Sequence, residues 1–342
     1  MTTKIRLTRR TAVAAIAGAF AAPMVARAQA GTIRFATQWV WQCDHAIWTL
    51  AEQRGYFTQE NLKVSVDRGF GSADNMTKIA AGSLDIGIVD VNLLPKFNQD
   101  NPGNQMVCFT LLFDAAPSAL MFLKSSGIKV PKDVEGKRVA VTDADATTIL
   151  FPIIAQRNNI DRSKIKFQSV TSQLRDTMVL QGTADASLGY INTAVINWQT
   201  SGIPKDQIGY FQYNKLGLDL YSLGLVCRKD YAVANKDALK AFVRAAIKGT
   251  RDMFAEPKAA IESLKKRDAL IKDAVELERL DLVRDIAMIT PNVRQNGFSS
   301  VNQVRFEDTT AEVAKALGVK PVKMETIYTE EFLPPAAARK VV

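Results

Sequence analysis

The chain has very few residues suited to metal binding or to nucleophilic chemistry. Its 342 residues include one histidine, His45, and three cysteines, Cys43, Cys108 and Cys227. The cysteines are widely spaced and form no C-x-x-C pair, which disfavours a structural metal or a dithiol redox site. Cys108 and Cys227 lie in apolar, strand-like runs, so we expect buried free thiols there. No Ser-His-Asp pattern is apparent either.

The apolar run near the N-terminus is too short to cross a bilayer. Basic residues among the first ten lead into an uncharged, alanine-rich run over residues 11–25, and residues 26–30 offer two overlapping A-x-A sites. This order is that of an export signal. We expect cleavage after Ala30, with Ala28 as the alternative, and a periplasmic location. The Arg9-Arg10 pair fits twin-arginine export, and ordinary secretion is the other route. No cysteine near the cleavage site suggests a lipid anchor.

A long basic run is likewise missing. The net charge of +9 falls to +4 without the five Lys and Arg of the signal, which is ordinary for a soluble surface and argues against nucleic-acid binding. Residues 31–342 remain, enough for one large or two medium domains.

What the sequence does contain is an α/β alternation with an internal repeat. Short β-rich runs such as TIRFAT and DIGIV are each followed by a helical pattern, which predicts α/β architecture with mainly parallel strands. Residues 72–92 match residues 172–192 without a gap, and 31–37 and 51–55 parallel 136–142 and 155–159. The identical positions are Ser72/Ser172, Thr77/Thr177, Gly82/Gly182, Asp85/Asp185 and Asn92/Asn192. We therefore expect two similarly built α/β lobes.

The helical C-terminal part shows no further repeat, and we expect it to pack on the first lobe. The predicted organisation is lobe 1 from residues 31–116 plus 223–335, lobe 2 from 117–222 and a tail over 336–342. Two crossings near residues 115–120 and 220–225 would form a hinge, and a cleft between hinged lobes can close around a solute.

Candidate ligand residues lie at the predicted turns from strand to helix. Ligands of open α/β sheets bind there, where helix N-termini offer free N–H groups. The candidates are Trp39, Trp41, Asp44, His45, Gly71, Ser72, Ala73, Asp90, Asn92, Asp143, Ala146, Thr147, Tyr190, Asn192, Asp219 and Tyr221.

The aromatic cluster WVWQCDHAIW, residues 39–48, holds three of the four tryptophans. Trp39 and Trp41 alternate at strand spacing, so we expect them to share a face and at least one of them to stack on a planar ligand. We expect Trp48 in the core. His45, at a helix start, is either a packed capping residue or a neutral imidazole that hydrogen-bonds the ligand.

The polar candidates have two interpretations. Ser72 and each aspartate, taken singly, are typical of helix caps or surface charges, whereas the residues around Gly71 can also present N–H groups to a ligand. Only Arg68 and Arg175 lie at the edges of the predicted cleft wall, and a dianion would call for a clamping arginine. The pattern favours a neutral, zwitterionic or monocarboxylate organic molecule with a flat part.

Four segments resemble a known family: HAIWTLAEQRGYFTQENLKVSV, GFGSADNMTKIAAGSLDIGIVDVN, IKVPKDVEGKRVAV and QGTADASLGYIN. They are similar to the periplasmic solute-binding proteins of ABC importers, in the SsuA/THI5-like branch for nitrate, sulfonates, taurine and thiamine-pyrimidine precursors. The resemblance spans residues 31–320. It implies a type II periplasmic-binding fold and delivery of a captured solute to an inner-membrane permease. We expect a monomer, without cofactor or metal, that binds a sulfonate, a carboxylate or a pyrimidine-like solute.

Two alternatives share this fold. Eukaryotic relatives make the thiamine pyrimidine from bound pyridoxal phosphate, with a lysine just upstream of the histidine and a cysteine cluster. This chain has Trp41 one helical turn before His45 and no cysteine cluster. From these features we expect a protein that is not an enzyme. The other alternative is a solute-sensing partner of a membrane receptor.

Overall fold

The computed structural model describes residues 31–143 and 145–342. The export signal expected over residues 1–30 lies outside the described residues. No helix among the described residues is long and apolar enough to cross a membrane.

The described residues form strands and helices in alternation through the first two thirds of the chain. The strands are β1 Ile33–Ala36, β2 Val64–Asp67, β3 Ile86–Asp90, β4 Met106–Leu111, β5 Ser118–Leu123, β6 Arg138–Val141, β7 Lys166–Ser169, β8 Ala186–Tyr190, β9 Ile208–Gln212 and β10 Leu223–Arg228. The helices are α1 Ala46–Gln53, α2 Tyr56–Gln59, α3 Ser72–Ala80, α4 Leu94–Asp100, α5 Ala146–Arg157, α6 Ser172–Leu180, α7 Ile191–Thr200, α8 Lys229–Ala234, α9 Lys236–Ala255, α10 Pro257–Lys265, α11 Asp273–Val283, α12 Pro291–Asn296 and α13 Gln303–Ala316.

The strands form two separate five-stranded sheets. The first has the order β2-β1-β3-β10-β4 and the second the order β7-β6-β8-β5-β9. We call the parts of the chain around them lobe 1 and lobe 2. In each sheet the first three strands are parallel, and the fourth, β10 or β5, runs antiparallel to both neighbours. The two-lobed α/β fold expected from the sequence is confirmed.

The internal repeat appears as equivalent elements in the two lobes. Helices α3 and α6, and strands β3 and β8, begin at positions 100 residues apart. Gly82 and Gly182 follow the two helices with φ of 70° and 69°, a conformation that glycine adopts without steric cost. Arg34 pairs with Asp85 at 2.6 Å and Arg138 pairs with Asp185 at 2.7 Å, one pair in each lobe. When the two arginines are taken as equivalent positions, β1 aligns with β6 at an offset of 104 residues. This offset is one residue smaller than that of the alignment of 31–37 with 136–142.

Two chain segments connect the lobes, and they pair with each other. The backbone N–H of Ala116 donates to the carbonyl of Leu220 at 3.0 Å, and that of Ser222 donates to Phe113 at 3.2 Å. The N–H of Ala115 donates to Ala287, in a π-helical turn over Arg284–Met288. The connection between β4 and β5 is therefore tied to the one between β9 and β10 and to the C-terminal helices.

The C-terminal helices contact both lobes. Helices α9 and α10 pack on α1, where Phe242 lies beside the buried Trp48. Helix α11 instead reaches α7, and Leu282 packs against the core of lobe 2. Helix α13 contacts both α4 and α5. From the sequence we expected the C-terminal helices to pack on lobe 1 alone. Helices α11 and α13 depart from this expectation because they also contact lobe 2.

Candidate functional site

The lobes meet around a narrow cavity between the ends of their strands. Its lining residues come from both lobes and are Gln38, Trp39, Asp145, Arg175, Tyr190 and Thr193. A groove adjoins it, lined by the same Trp39 and Thr193 and by residues of α6 and α7 such as Asp176 and Asn197. Trp39 is 5% exposed and is the aromatic residue that both spaces share. Of the two tryptophans for which we expect ligand stacking, Trp39 is the one that lines these spaces.

Arg175 lies at the centre of this region. Its guanidinium group is buried, donates from Nη1 to Asp145 Oδ2 at 3.1 Å and from Nε to Asp176 Oδ1 at 3.3 Å, and lies over the Trp39 ring. The opposite side rests on the backbone of Gly189, where a Cβ atom would lie 2.6 Å from Cζ. Sequence reasoning put Arg175 at the edge of the cleft. In the structure it is central, and two carboxylates compensate its charge.

Asp145 is fixed at the start of α5. Its Oδ1 accepts hydrogen bonds from the backbone N–H of Thr147 at 2.9 Å and from the Thr147 hydroxyl at 2.8 Å. This is an N-cap, in which a carboxylate compensates the positive end of the helix dipole. Because Oδ2 accepts from Arg175, Asp145 anchors the arginine in lobe 2.

A buried network joins Asp90 of lobe 1 to Tyr190 of lobe 2. Asp90 Oδ2 accepts from the hydroxyl of Ser222 at 2.9 Å, and that hydroxyl also bonds the phenol of Tyr190 at 2.9 Å. Asp90 Oδ1 accepts from the backbone N–H and the side-chain amide of Asn92. Burial nevertheless raises the pKa of Asp90 to about 6. Burial also raises the pKa of Tyr190, with smaller effects from Asp90, Asp145 and Asp44.

The turn before α1 carries buried polar atoms without hydrogen bonds of normal geometry. His45 is 1% exposed, and neither imidazole nitrogen has a partner of good hydrogen-bond geometry: Nε2 lies 3.6 Å from Asp44 Oδ2, and the backbone of Val40 provides only a weak contact. Asp44 Oδ1 is also unpaired. Burial lowers the pKa of His45, and the nearby Asp44 carboxylate only partly opposes this effect. The imidazole is therefore neutral at pH 7.

The facing turn of lobe 2 carries a second such group. Asn192 is fully buried, and neither atom of its side-chain amide has a partner. Its backbone carbonyl accepts from Arg279, which pairs with Glu276, and Glu276 accepts the N–H of Cys43 at 2.7 Å. The turns that hold His45 and Asn192 therefore face each other across the boundary between the lobes. Buried polar groups are normally paired, so these unpaired atoms make both turns candidates for contact with a polar ligand.

The glycine turn of lobe 1 has a structural task. The N–H of Gly71 donates to the carbonyl of Gln38 at 2.8 Å, and the hydroxyl of Ser72 accepts the N–H of Asp90 at 3.0 Å. Ala73 packs against the core, as Ala146 does in lobe 2. The side-chain amide of Asn92 bridges Asp90 and the carbonyl of Tyr221. These groups hold the wall in place through contacts within the protein.

Four candidates lie elsewhere. Trp41 packs edge-on to His45, with Arg267 over its ring, on the core of lobe 1. Asp143 is exposed and accepts the hydroxyl of Ser169, and exposed Asp219 pairs with Arg305. Tyr221 accepts the N–H of Asn302 and stacks under Arg305. Trp39 and Trp41 do not share a face as expected, because β1 ends at Ala36 and the chain bends over residues 38–41.

Sequence reasoning missed several residues of this region. Arg279 and Glu276 come from α11, far along the chain, and no local pattern marks them. Arg175 had one signal: it aligns with Asn75 in the repeat. Asn75 donates to the carbonyls of Thr37 and Ile88 within lobe 1. A buried amide in one copy and an arginine in the other distinguish the lobes at this position.

Comparison with known proteins adds the family context. The family described as NMT1/THI5 like matches residues 42–260. A 4-amino-5-hydroxymethyl-2-methylpyrimidine phosphate synthase of Aspergillus parasiticus is 23% identical and covers 88% of this chain and 87% of its own length. A formylaminopyrimidine-binding protein of Halalkalibacterium halodurans is 24% identical and covers 68% of this chain and 69% of its own length.

Among solved structures, the alkanesulfonate-binding protein SsuA of Xanthomonas axonopodis pv. citri superposes with a TM-score of 0.68 at 14% identity. The match covers 88% of this chain and 99% of that one. This likeness shows the type II periplasmic-binding fold that the sequence led us to expect.

The expectation that the chain is not an enzyme is corrected by these relatives. Matches at 22–23% identity over most of the chain are named as pyrimidine phosphate synthases, in Aspergillus parasiticus and in Schizosaccharomyces pombe. The scarcity of histidine and cysteine did not exclude such relatives, because an enzyme and a binding protein can share one fold.

Proposed function

This chain belongs to the NMT1/THI5-like family, and from that premise we propose that its cleft binds one small, flat nitrogen heterocycle of the aminopyrimidine class. The observation that carries the proposal is the set of buried, unpaired polar atoms on Asp44, His45 and Asn192 at the boundary between the lobes. An aminopyrimidine has a flat face for Trp39 and an edge of alternating hydrogen-bond donors and acceptors for these groups.

The charges near the cavity support the same class of ligand. Asp44, Asp90 and Asp145 all lie close enough to Tyr190 to raise its pKa, and Arg175 is compensated by Asp145 and Asp176. Carboxylates in excess favour ligand N–H donors and disfavour a dianion, which would need an uncompensated arginine. Sulfonates and nitrate fit this environment less well than a neutral or weakly basic ring does.

The role we propose is that of an extracytoplasmic binding component that delivers its ligand to an ABC permease. Two observations support it: the SsuA-like fold and the pattern of an export signal in residues 1–30. The relative named as a formylaminopyrimidine-binding protein connects this role with an aminopyrimidine ligand. The ligand contacts would be Trp39, Asp44, His45, Asp145, Tyr190 and Asn192.

Pyrimidine synthesis is the second candidate, and the relatives named as synthases favour it. Pyridoxal phosphate held by a lysine does not fit the described cavity. The residue one turn before His45 is Trp41, and no lysine is among the residues that line the cavity. Synthase activity of this chain would therefore not begin from a lysine Schiff base at that position.

A thermal-shift screen tests the ligand class. The purified protein is heated with 4-amino-5-hydroxymethyl-2-methylpyrimidine, its phosphate, formylaminopyrimidine, taurine, an alkanesulfonate or nitrate. A ligand specific for the folded state raises Tm through mass action. We expect the aminopyrimidines to raise Tm, and a shift by a sulfonate or nitrate alone contradicts the proposal. Incubation with pyridoxal phosphate, followed by mass spectrometry for a pyrimidine product, tests the second candidate.

A further inference from the structure

A continuous chain of hydrogen-bonded side chains crosses from lobe 1 to lobe 2 beside the cavity. It begins at the N–H of Cys43, which donates to Glu276 Oε2 at 2.7 Å. Glu276 pairs with Arg279, one turn later on α11, at 3.1 Å. The Nη2 group of Arg279 then donates to Asn197 Oδ1 on α7, at 3.0 Å. That last bond passes from a C-terminal helix to lobe 2.

The chain continues within lobe 2 to the cavity itself. Asn197 donates from Nδ2 to Asp176 at 2.8 Å, and Asp176 accepts from Arg175 at 3.3 Å. Arg175 ends the chain on Asp145, the N-cap of α5. Charged groups of opposite sign follow one another, and Asn197 joins the two ion-paired halves through both atoms of its amide. Burial strengthens such bonds and makes an unmade one costly.

All the hydrogen bonds that Arg279 donates to lobe 2 go to residues of α7. Besides Asn197, it donates from Nη1 to the carbonyls of Asn192 at 2.8 Å and Thr193 at 3.0 Å. Arg279 is 4% exposed and Glu276 is 5% exposed. If the lobes separated, three donated bonds would be exchanged for water, while the pair with Glu276 would remain on α11. Arg279 therefore distinguishes the closed arrangement from an open one.

We propose that Arg279 is a positioning residue that latches the lobes together. Together with Glu276 it ties the Asn192–Thr193 turn to the Cys43–His45 turn, so that the two turns keep their relative position. The latch depends on the contacts of α11 and α7 and not on the identity of the ligand. It can therefore be tested without a ligand, and its failure would leave the proposed function untouched.

The distance between the lobes provides the test. Lys63 precedes β2, Lys166 is the first residue of β7, and both are exposed. In each sheet this is the edge strand farthest from the segments that connect the lobes. Nitroxide labels on Lys63→Cys and Lys166→Cys report opening by pulsed electron spin resonance, and the native cysteines are buried. We expect one distance population in the parent protein and an added population at longer distance in Arg279→Gln.

Matched variants separate a latch from general damage. Arg284→Gln removes a partly exposed arginine of the adjacent turn, paired with Asp281 and Asp285, and should leave the distances unchanged. Asn197→Leu removes one of the three bonds from the lobe 2 side without uncovering Glu276, and should lengthen the distances less than Arg279→Gln does. Arg279→Lys keeps the charge beside Glu276 but not the fork of donors, and should restore the parent distance only in part.

Two outcomes overturn the proposal. One is an unchanged distance distribution in Asn197→Leu and in Arg279→Gln, each shown to be folded by circular dichroism. The other is a parent protein whose distribution is already as long as that of Arg279→Gln. If Arg279→Gln does not fold, the result for Asn197→Leu decides alone.

Discussion

The guanidinium group of Arg175 lies over the indole of Trp39, with Cζ 5.6 Å from the ring centroid, so one residue of each lobe faces the other across the cavity. The arrangement depends on what lies behind the arginine. Gly189 has no side chain, and the guanidinium group occupies the space that a Cβ atom would fill. Asp145 and Asp176 then fix the direction of the group. The cavity wall is therefore determined by packing as much as by charge.

Gly189→Ala should displace Arg175. The added Cβ atom would lie 2.6 Å from Cζ and 2.7 Å from Nη1, so the guanidinium group would have to shift and would lose its present geometry with Asp145 and Asp176. We expect the free energy of unfolding in urea to fall by about 1–3 kcal/mol, as for other overpacked cores. Gly103→Ala is the control, since nothing lies within 4 Å of its Cβ position. Equal stability of the two variants would contradict the packing argument.

Trp39→Leu should weaken binding of the aminopyrimidine identified by thermal shift. Loss of the ring removes a stacking contact of about 0.5–1.5 kcal/mol, which raises Kd about tenfold at the upper end. Trp41→Leu, on the core of lobe 1, should lower Tm and raise Kd less than Trp39→Leu does, because Trp41 contacts His45 only edge-on and lines neither space. Isothermal titration calorimetry measures the Kd of each variant. Equal losses of affinity in the two variants would assign no special role to Trp39.

Asp90 should make the protein less stable as pH rises from about 4 to about 6. The pKa of Asp90 is about 6 in the folded protein and 3.8 for an unperturbed aspartate, so the unfolded chain releases the proton first. Below 3.8 both states are protonated and there is no penalty; above about 6 the penalty is complete, at about 3 kcal/mol.

The difference between the parent protein and Asp90→Asn isolates this effect, because other groups titrate alike in both. Urea unfolding at pH 4 and pH 7 should show the parent losing more stability than Asp90→Asn over this range. A constant difference between the two proteins would show that the carboxyl group of Asp90 has an ordinary pKa.

His45 should titrate below 6.5, the usual pKa of a histidine, because burial disfavours the imidazolium. The chain contains no other histidine, so its imidazole signals in nuclear magnetic resonance spectra need no assignment. As pH falls through 6.5 the unfolded chain takes up a proton that the folded protein does not, and stability is lost. His45→Gln should remove this loss. A midpoint at or above 6.5 would contradict the buried, neutral imidazole.

The native protein should react slowly with Ellman's reagent. Cys43, Cys108 and Cys227 are buried, and burial raises the pKa of each thiol, which leaves little reactive thiolate at pH 8. After denaturation all three should react at once. A rapidly reacting thiol in the folded protein would show that one of these sites opens to solvent.

The fold could be predicted because its signals are local or repeated. The alternation of β-rich and helical sequence patterns predicted the strands and helices. Identical positions 100 residues apart, such as Gly82 and Gly182, predicted the two lobes. The face of Trp41 was mispredicted because strand alternation was extended beyond Ala36, where β1 ends. The alternation of a strand predicts side-chain direction only within the strand itself.

The site was harder to predict because its decisive contacts join distant segments. Arg279 meets Asn192 across 87 residues of sequence, and no spacing rule connects two such positions. Arg175 was visible as a departure from Asn75 in the repeat, yet its burial depends on the glycine at position 189. The sequence pointed to the synthase relatives as an alternative, yet the expectation that the chain is not an enzyme was wrong, since the residues that mark the fold do not specify chemistry.

The position of β10 sets an order of events for the growing chain. In lobe 1 this strand lies between β3 and β4, which are synthesised long before it. Lobe 2, by contrast, takes all its strands from one continuous stretch, β5 to β9. The second lobe can thus assemble while the first still has two open strand edges waiting for residues 223–228. Until then those edges are exposed to pairing with other chains, and the first lobe to be made is the last to be completed.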